Sequence, residues 1–146
     1  MPRLRAILAH SGKDWRLFAV ACGRILFAWG VLKILPFARV VALLGAARHV
    51  ATPVDRTLVR RVRWAVEAAA RHLPLSLTCL PQALAATWML QARGYAPRMH
   101  YGVTTSDTGG FKAHAWVELD DTPVIGHRGA TRFTLLTRFP EGTATS

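Results

Sequence analysis

Residues 79–94 read CLPQALAATWMLQARG, and this stretch carries the strongest structural signal in the chain. Apolar side chains fall on nearly every face of a helix between Leu80 and Arg93, and Gly94 suits the left-handed residue that commonly follows a helix. A helix that is apolar all round is normally surrounded by the rest of the protein. The stretch therefore predicts a central buried helix with Cys79 at its N-terminal end.

The chain after this helix has the pattern of a β-sheet. Beyond Pro97 apolar and polar residues alternate, and clusters of Asp, Thr and Gly separate the alternating runs. The short turns favour antiparallel pairing of neighbouring strands, so the expected sheet is an antiparallel β-meander. Strands are predicted over residues 99–104, 111–119, 124–126 and 133–139.

The chain before it has a helical pattern. Apolar residues at steps of three and four predict helices over residues 14–35, 37–44 and 53–73. Pro36 separates the first two, while Thr52 and Pro53 suit the cap and first position of the third. The predicted fold class is α+β, with N-terminal helices followed by a central helix carrying the cysteine and an antiparallel β-meander.

Length and composition indicate which classes of protein this chain can belong to. A chain of 146 residues fits one domain, and 51% hydrophobic residues with 18% charged residues indicate a globular chain rather than a disordered one. Its two cysteines cannot form a disulfide framework, and no Cys and His set has the spacing of a structural zinc site. We therefore expect a cytoplasmic protein without a metal or a cofactor.

The positive charge is concentrated in the first half of the chain. Residues 1–71 hold 13 Lys and Arg against 3 acids, whereas residues 72–146 hold 6 against 5. Such a surface fits nucleic acid, an anionic membrane, an acidic protein, or simply solvent. Arg24 and Lys33 interrupt the apolar stretch of residues 20–35, which disfavours a transmembrane span and leaves peripheral membrane contact open.

Cys79 and His114 are the candidates for chemistry. The N-terminus of a helix favours the thiolate form of a cysteine, which is the reactive form. His114 lies within a predicted strand, so a cysteine on a helix is followed by a histidine on a later strand, the arrangement that cysteine acyl transfer needs. Cys22 lies in an apolar helix stripe and is interpreted as a buried hydrophobic residue.

Four segments resemble a known family, the lasso peptide leader peptidases, which are transglutaminase-like cysteine proteases. They are TCLPQAL at 78–84, MLQARGY at 89–95, YGV at 101–103 and AHAWVE at 113–118. The resemblance covers roughly residues 75–126 and implies a transglutaminase-like, papain-like core. Within one domain of residues 1–146, it implies a catalytic core at 74–140 preceded by a basic helical part at 1–73.

The resemblance implies hydrolysis of one peptide bond, which removes the leader from a ribosomally made precursor. Cys79 would attack the carbonyl carbon, and His114 would take and then return the proton. The first half of the chain is helical, whereas the family's leader-recognition module is a winged helix. This resembles the split form of the family, so the implied partners are the precursor peptide, a separate winged-helix leader-binding protein and a macrolactam-forming lasso cyclase, with no nucleic acid.

The third catalytic position departs from the family pattern. The family has an Asp on the strand after the His strand, whereas residues 124–127 read VIGH and contain no carboxylate. Asp120 is our first candidate for this role, followed by Asp121 and Glu118. A backbone group or His127 is a further alternative for orienting the imidazole.

Two other functions remain open from the sequence. Transglutaminases and peptidases share a thioester intermediate, so acyl transfer to an amine is an alternative to hydrolysis. The basic first half also fits a membrane- or nucleic-acid-binding module in which Cys79 and His114 are structural residues. A binding module of this kind would account for the positive charge but not for the motifs around Cys79 and His114.

Overall fold

Helices occupy the first part of the chain and strands the second. The computed structural model describes residues 12–42, 53–73, 79–105, 109–120, 122–127 and 133–139. Within these ranges the helices are α1 (Gly12–Ile34), α2 (Phe37–Ala42), α3 (Arg56–His72) and α4 (Cys79–Gln91), and the strands are β1 (Arg98–Thr105), β2 (Phe111–Leu119), β3 (Thr122–Ile125) and β4 (Thr134–Phe139). The predicted α+β class is confirmed.

Helix α1 packs one face against α3 and α4. Its fully buried residues recur at steps of three and four, and the opposite face leaves large apolar side chains in solvent, including Phe27 and Ile34. Residues 14–34 are long and apolar enough to cross a bilayer, while 22% of that window is buried inside the protein. The buried face of α1 comprises Leu17, Ala21, Ile25 and Ala28.

Helix α3 begins later than the sequence predicted. The Asp55 side chain accepts hydrogen bonds from the backbone N–H groups of Thr57 and Leu58, at 2.9 and 3.3 Å, and so caps the helix. The predicted start at Pro53 is therefore wrong, because Asp55 is the residue that satisfies the first free amides. Thr52, the predicted cap, lies outside the described residues.

Helix α4 is the central helix that the sequence predicted. Every residue from Ala83 to Leu90 is buried. The helix ends at Gln91, and Gly94 follows in the left-handed conformation, with φ of 85°. The backbone N–H of Tyr95 reaches back to the carbonyl of Leu90 at 3.2 Å, which closes the last turn.

The four strands form one antiparallel sheet in the order β3-β2-β1-β4. The first three strands form the predicted meander, but β4 pairs with β1 and not with β3. The far side of β3 is covered by Arg63 of α3, which donates hydrogen bonds to the carbonyls of Pro123 and Val124, both at 2.5 Å. The free side of β1 is where β4 pairs.

Strand β2 separates the core from the face that carries His114. Ala115, Val117 and Leu119 belong to the hydrophobic core, which also contains residues of α4. His114 and Glu118 alternate with them and lie on the other face of the strand. Because α4 packs against β2, the first turn of the helix lies beside the strand at the position of His114.

Candidate active site

Cys79 is the first residue of α4, and its sulfur reaches the backbone of β2. The N–H of Ala115 donates to the sulfur at 3.3 Å, and the thiol lies 3.9 Å from the carbonyl oxygen of Ala113. The sulfur therefore contacts the main chain on both sides of His114. A backbone N–H and the N-terminal end of a helix both stabilise negative charge on sulfur.

The His114 ring is held at one nitrogen and on its faces. Nε2 lies 2.5 Å from the carbonyl oxygen of Gly126, and the ring stacks with Trp116 and Phe133 at centroid distances of 5.9 and 5.0 Å. A carbonyl only accepts hydrogen bonds, so Nε2 carries the proton in this contact. Neutral His114 then has its lone pair on Nδ1, the nitrogen available to act as a base.

Gly126 has no tolerance for a side chain. Its φ is 81°, and a Cβ atom there would lie 2.7 Å from the carbonyl oxygen of Ala115. Glycine is the residue that adopts this backbone conformation without strain. Glycine at position 126 therefore allows the backbone carbonyl to approach His114.

Cys79 and His114 line the same cavity, which has a volume of about 730 Å³. Within the described part of the chain, the thiol contacts the Ala113 carbonyl and makes no hydrogen bond to the imidazole. A rotation of the Cys79 side chain or of the ring must bring Sγ to Nδ1 before a proton can pass between them. Such contacts commonly tighten only when substrate binds.

The acidic candidates for the third role lie at different places. Asp120 is exposed in the turn after β2, with φ of 46°, and six residues of extended chain put it roughly 20 Å from His114. Among the described residues it makes no hydrogen bond to His114, and its catalytic role stays a prediction. Asp121 lies outside the described residues.

Glu118 is linked to His114 indirectly. Its carboxylate lies 3.1 Å from Nε2 of His127 and 3.3 Å from Nε2 of the buried His100. His127 directly follows Gly126, whose carbonyl contacts the His114 ring. The backbone contact considered from the sequence is therefore present, and Glu118 supports the segment that provides it.

A family comparison matches most of the chain. The model described as transglutaminase-like superfamily matches residues 25–138, which include both Cys79 and His114. The chain belongs to the transglutaminase-like superfamily. Comparisons with curated proteins and with solved structures found no match. Enzymes of the transglutaminase-like superfamily are typically cysteine-dependent, which supports cysteine protease or acyltransferase activity.

Several residues of this transglutaminase-like site were not predicted from the sequence. Gln82 of α4 lines the cavity with Cys79. Arg63, Glu67 and Arg71 of α3 line it as well. Their spacing of four residues puts them on one helix face, which the sequence could have revealed, although it could not say what that face meets. No group of three or more His, Cys, Asp and Glu side chains in the described residues could hold a metal ion.

We predict that Cys79 alkylates before Cys22 in the folded transglutaminase-like protein. Burial raises the pKa of the Cys22 thiol, so this thiol stays protonated to higher pH and reacts slowly near neutrality. The Cys79 sulfur, in contrast, lies at the N-terminus of α4 and accepts the Ala115 N–H. Limiting iodoacetamide at pH 7, followed by peptide mapping, measures the order. Denatured protein is the control, where both cysteines react alike, and earlier labelling of Cys22 in the folded protein would contradict the prediction.

Proposed function

We propose that this protein is a cysteine endopeptidase that removes the leader from a ribosomally synthesised lasso peptide precursor. The observation that carries the proposal is the shared cavity of Cys79, at the entrance of α4, and His114, on β2. The resemblance of the segments around these two residues to lasso peptide leader peptidases supports the substrate class. Membership of the transglutaminase-like superfamily supports the cysteine chemistry.

The first half of the reaction forms an acyl-enzyme. Nδ1 of His114 takes the thiol proton while Cys79 Sγ attacks the carbonyl carbon of the scissile bond. The developing oxyanion would accept hydrogen bonds from backbone N–H groups of the first turn of α4, in which Pro81 has none to offer, and the Gln82 amide in the same cavity is a further donor. The C–N bond then breaks, His114 gives its proton to the leaving amine, and a thioester on Cys79 remains.

The second half hydrolyses the thioester. Water attacks the thioester carbonyl and gives a proton to Nδ1 of His114. The C–S bond breaks, the leader leaves as a carboxylic acid, and the thiol is restored when His114 returns the proton to sulfur. Throughout both halves the Gly126 carbonyl keeps Nε2 protonated, so the ring presents Nδ1 to the reacting atoms.

The proposal includes partners and a compartment. A separate winged-helix protein would bind the leader, and a macrolactam-forming cyclase would act on the released core peptide. Leader binding and cyclisation would both take place in the cytoplasm, where Cys79 stays reduced and available as a nucleophile. A neighbouring gene for each of these proteins would support the assignment.

The proposed function is tested with the precursor peptide encoded beside this gene. We expect the protein, mixed with the winged-helix partner, to convert the precursor into two fragments whose masses sum to that of the precursor plus one water. The same mixture with an added primary amine separates hydrolysis from acyl transfer. A leader that carries the amine in place of the carboxylic acid would identify an acyltransferase, and an intact precursor in both mixtures would contradict the proposal.

A further inference from the structure

Helix α3 carries a row of charged side chains on one face. Arg56, Arg60, Arg63, Glu67 and Arg71 are separated by three or four residues, which is the spacing of side chains that lie above one another on a helix. The row runs about 22 Å along the helix axis. Four of its five side chains are positive.

The row faces β3 and the candidate active site. Arg63 fixes this orientation, because its guanidinium donates to the carbonyls of Pro123 and Val124. A second cavity of about 520 Å³ lies between Arg56 and Arg60 on one side and Thr122 on the other. Arg63 and Pro123 line both this cavity and the one that contains Cys79. The two cavities therefore adjoin, and we call them together the α3–β3 groove.

Most charged side chains that line the α3–β3 groove are positive. The second cavity has no acidic residue in its described lining, and the first has Glu67 between Arg63 and Arg71. Arg56 and Arg60 are exposed. Arg61, in contrast, is turned away and pairs with Asp14 of α1 at 2.6 Å, so it is not part of the groove.

We propose that the α3–β3 groove binds an acidic segment of the peptide substrate and so directs the scissile bond to Cys79. This proposal rests on the proposed peptidase function. From Arg60 to Arg71 the row spans eleven residues of helix, or about 17 Å, which an extended peptide covers with about five residues. A residue bound at Arg60 and a residue bound at Arg71, in the cavity of Cys79, would therefore be about five residues apart in the peptide.

A peptide fits this surface better than a lipid or a nucleic acid does. The positive side chains lie along a groove rather than on a flat face, and the groove leads into the cavity of the nucleophile. An occupant that extends from one end to the other must offer a carbonyl to Cys79. A peptide with carboxylates on one side of its scissile bond meets both requirements.

Binding to the groove is tested with fluorescein-labelled hexaglutamate and Cys79→Ala protein. We expect the Arg56→Gln, Arg60→Gln pair to weaken binding about fivefold or more at low salt. The matched control is Arg16→Gln, Arg24→Gln, which removes the same charge from exposed positions on α1. If both pairs of substitutions weaken binding equally, the net charge of the protein accounts for binding, and the proposal is overturned. An equal dependence on Arg56 and Arg60 for a thymidine oligonucleotide of the same charge would also overturn it.

The direction of the groove is tested by protection of Cys79 in the wild-type protein. Triglutamate covers only about 10 Å, so when it is bound at Arg56 and Arg60 a Gly-Ser tail of about eight residues reaches the thiol, whereas a tail of one residue does not. We expect the long tail, at one end of the triglutamate, to slow iodoacetamide labelling of Cys79 in proportion to occupancy. If Cys79 is not protected, or if its protection does not depend on tail length, the proposal for the groove is overturned. The peptidase proposal is tested separately, by precursor cleavage.

Discussion

Cys79→Ala is expected to abolish precursor cleavage, with a loss of about 10⁴-fold or more in kcat. The reason is that no acyl-enzyme can form without the sulfur. Cys79→Ser is expected to be nearly as inactive, because a serine hydroxyl at this position is a far weaker nucleophile than a thiolate. Mass spectrometry of the precursor after incubation with each variant measures the loss.

The stability of these variants separates chemistry from folding. Cys79 is half-buried at a helix end, so its replacement by alanine is expected to change the free energy of unfolding by no more than about 1 kcal/mol. Cys22→Ala is the matched control, since Cys22 packs against the hydrophobic core and has no place in the mechanism. It is expected to lower stability and keep activity. Full cleavage by Cys79→Ala protein would end the peptidase proposal.

His114→Ala is expected to lower kcat by about 10²–10⁴-fold, the usual contribution of a general base. The variant also loses the ring contacts with Trp116 and Phe133, so thermal unfolding must be measured beside activity. Added imidazole is the control for a purely structural effect. Recovery of cleavage in proportion to imidazole indicates that the missing group is a proton acceptor, whereas wild-type activity without imidazole would remove His114 from the mechanism.

Comparison of two carboxylate variants identifies the group that supports His114. Glu118→Gln is expected to lower activity more than Asp120→Asn, because Glu118 holds His127 beside the Gly126 carbonyl and Asp120 lies in the turn. A shift of the pH–rate profile in Glu118→Gln, with little change in KM, indicates an effect on His114. A larger loss in Asp120→Asn would support Asp120, the first candidate from the sequence.

The sequence predicted which elements form better than how they pair. The apolar run of α4 and the alternation in β2 are local signals, and both elements appear within one or two residues of their predicted bounds. The partner of β4 is not a local property. Alternation shows which residues share a face of a strand, but β4 could have paired with either free side of the sheet, and Arg63 covers one of them.

The sequence predicted those site residues whose reactive side chain also stands at a recognisable position in a helix or strand. Cys79 at a helix entrance and His114 in a strand have a recognisable order along the chain, and both line one cavity. Gly126 and Arg63 gave no such signal. Gly126 acts through its backbone carbonyl, and Arg63 meets β3 across about sixty residues of sequence, so only the fold reveals what either one contacts.

The Arg63 contacts also affect how this protein behaves toward other copies of itself. The outer strand of a sheet usually presents free carbonyl and N–H groups, which can recruit a strand from another molecule and begin aggregation. On β3 the carbonyls of Pro123 and Val124 are already bonded to Arg63, and Pro123 has no N–H to offer. This side of the sheet is therefore a poor template for the addition of a strand from another copy.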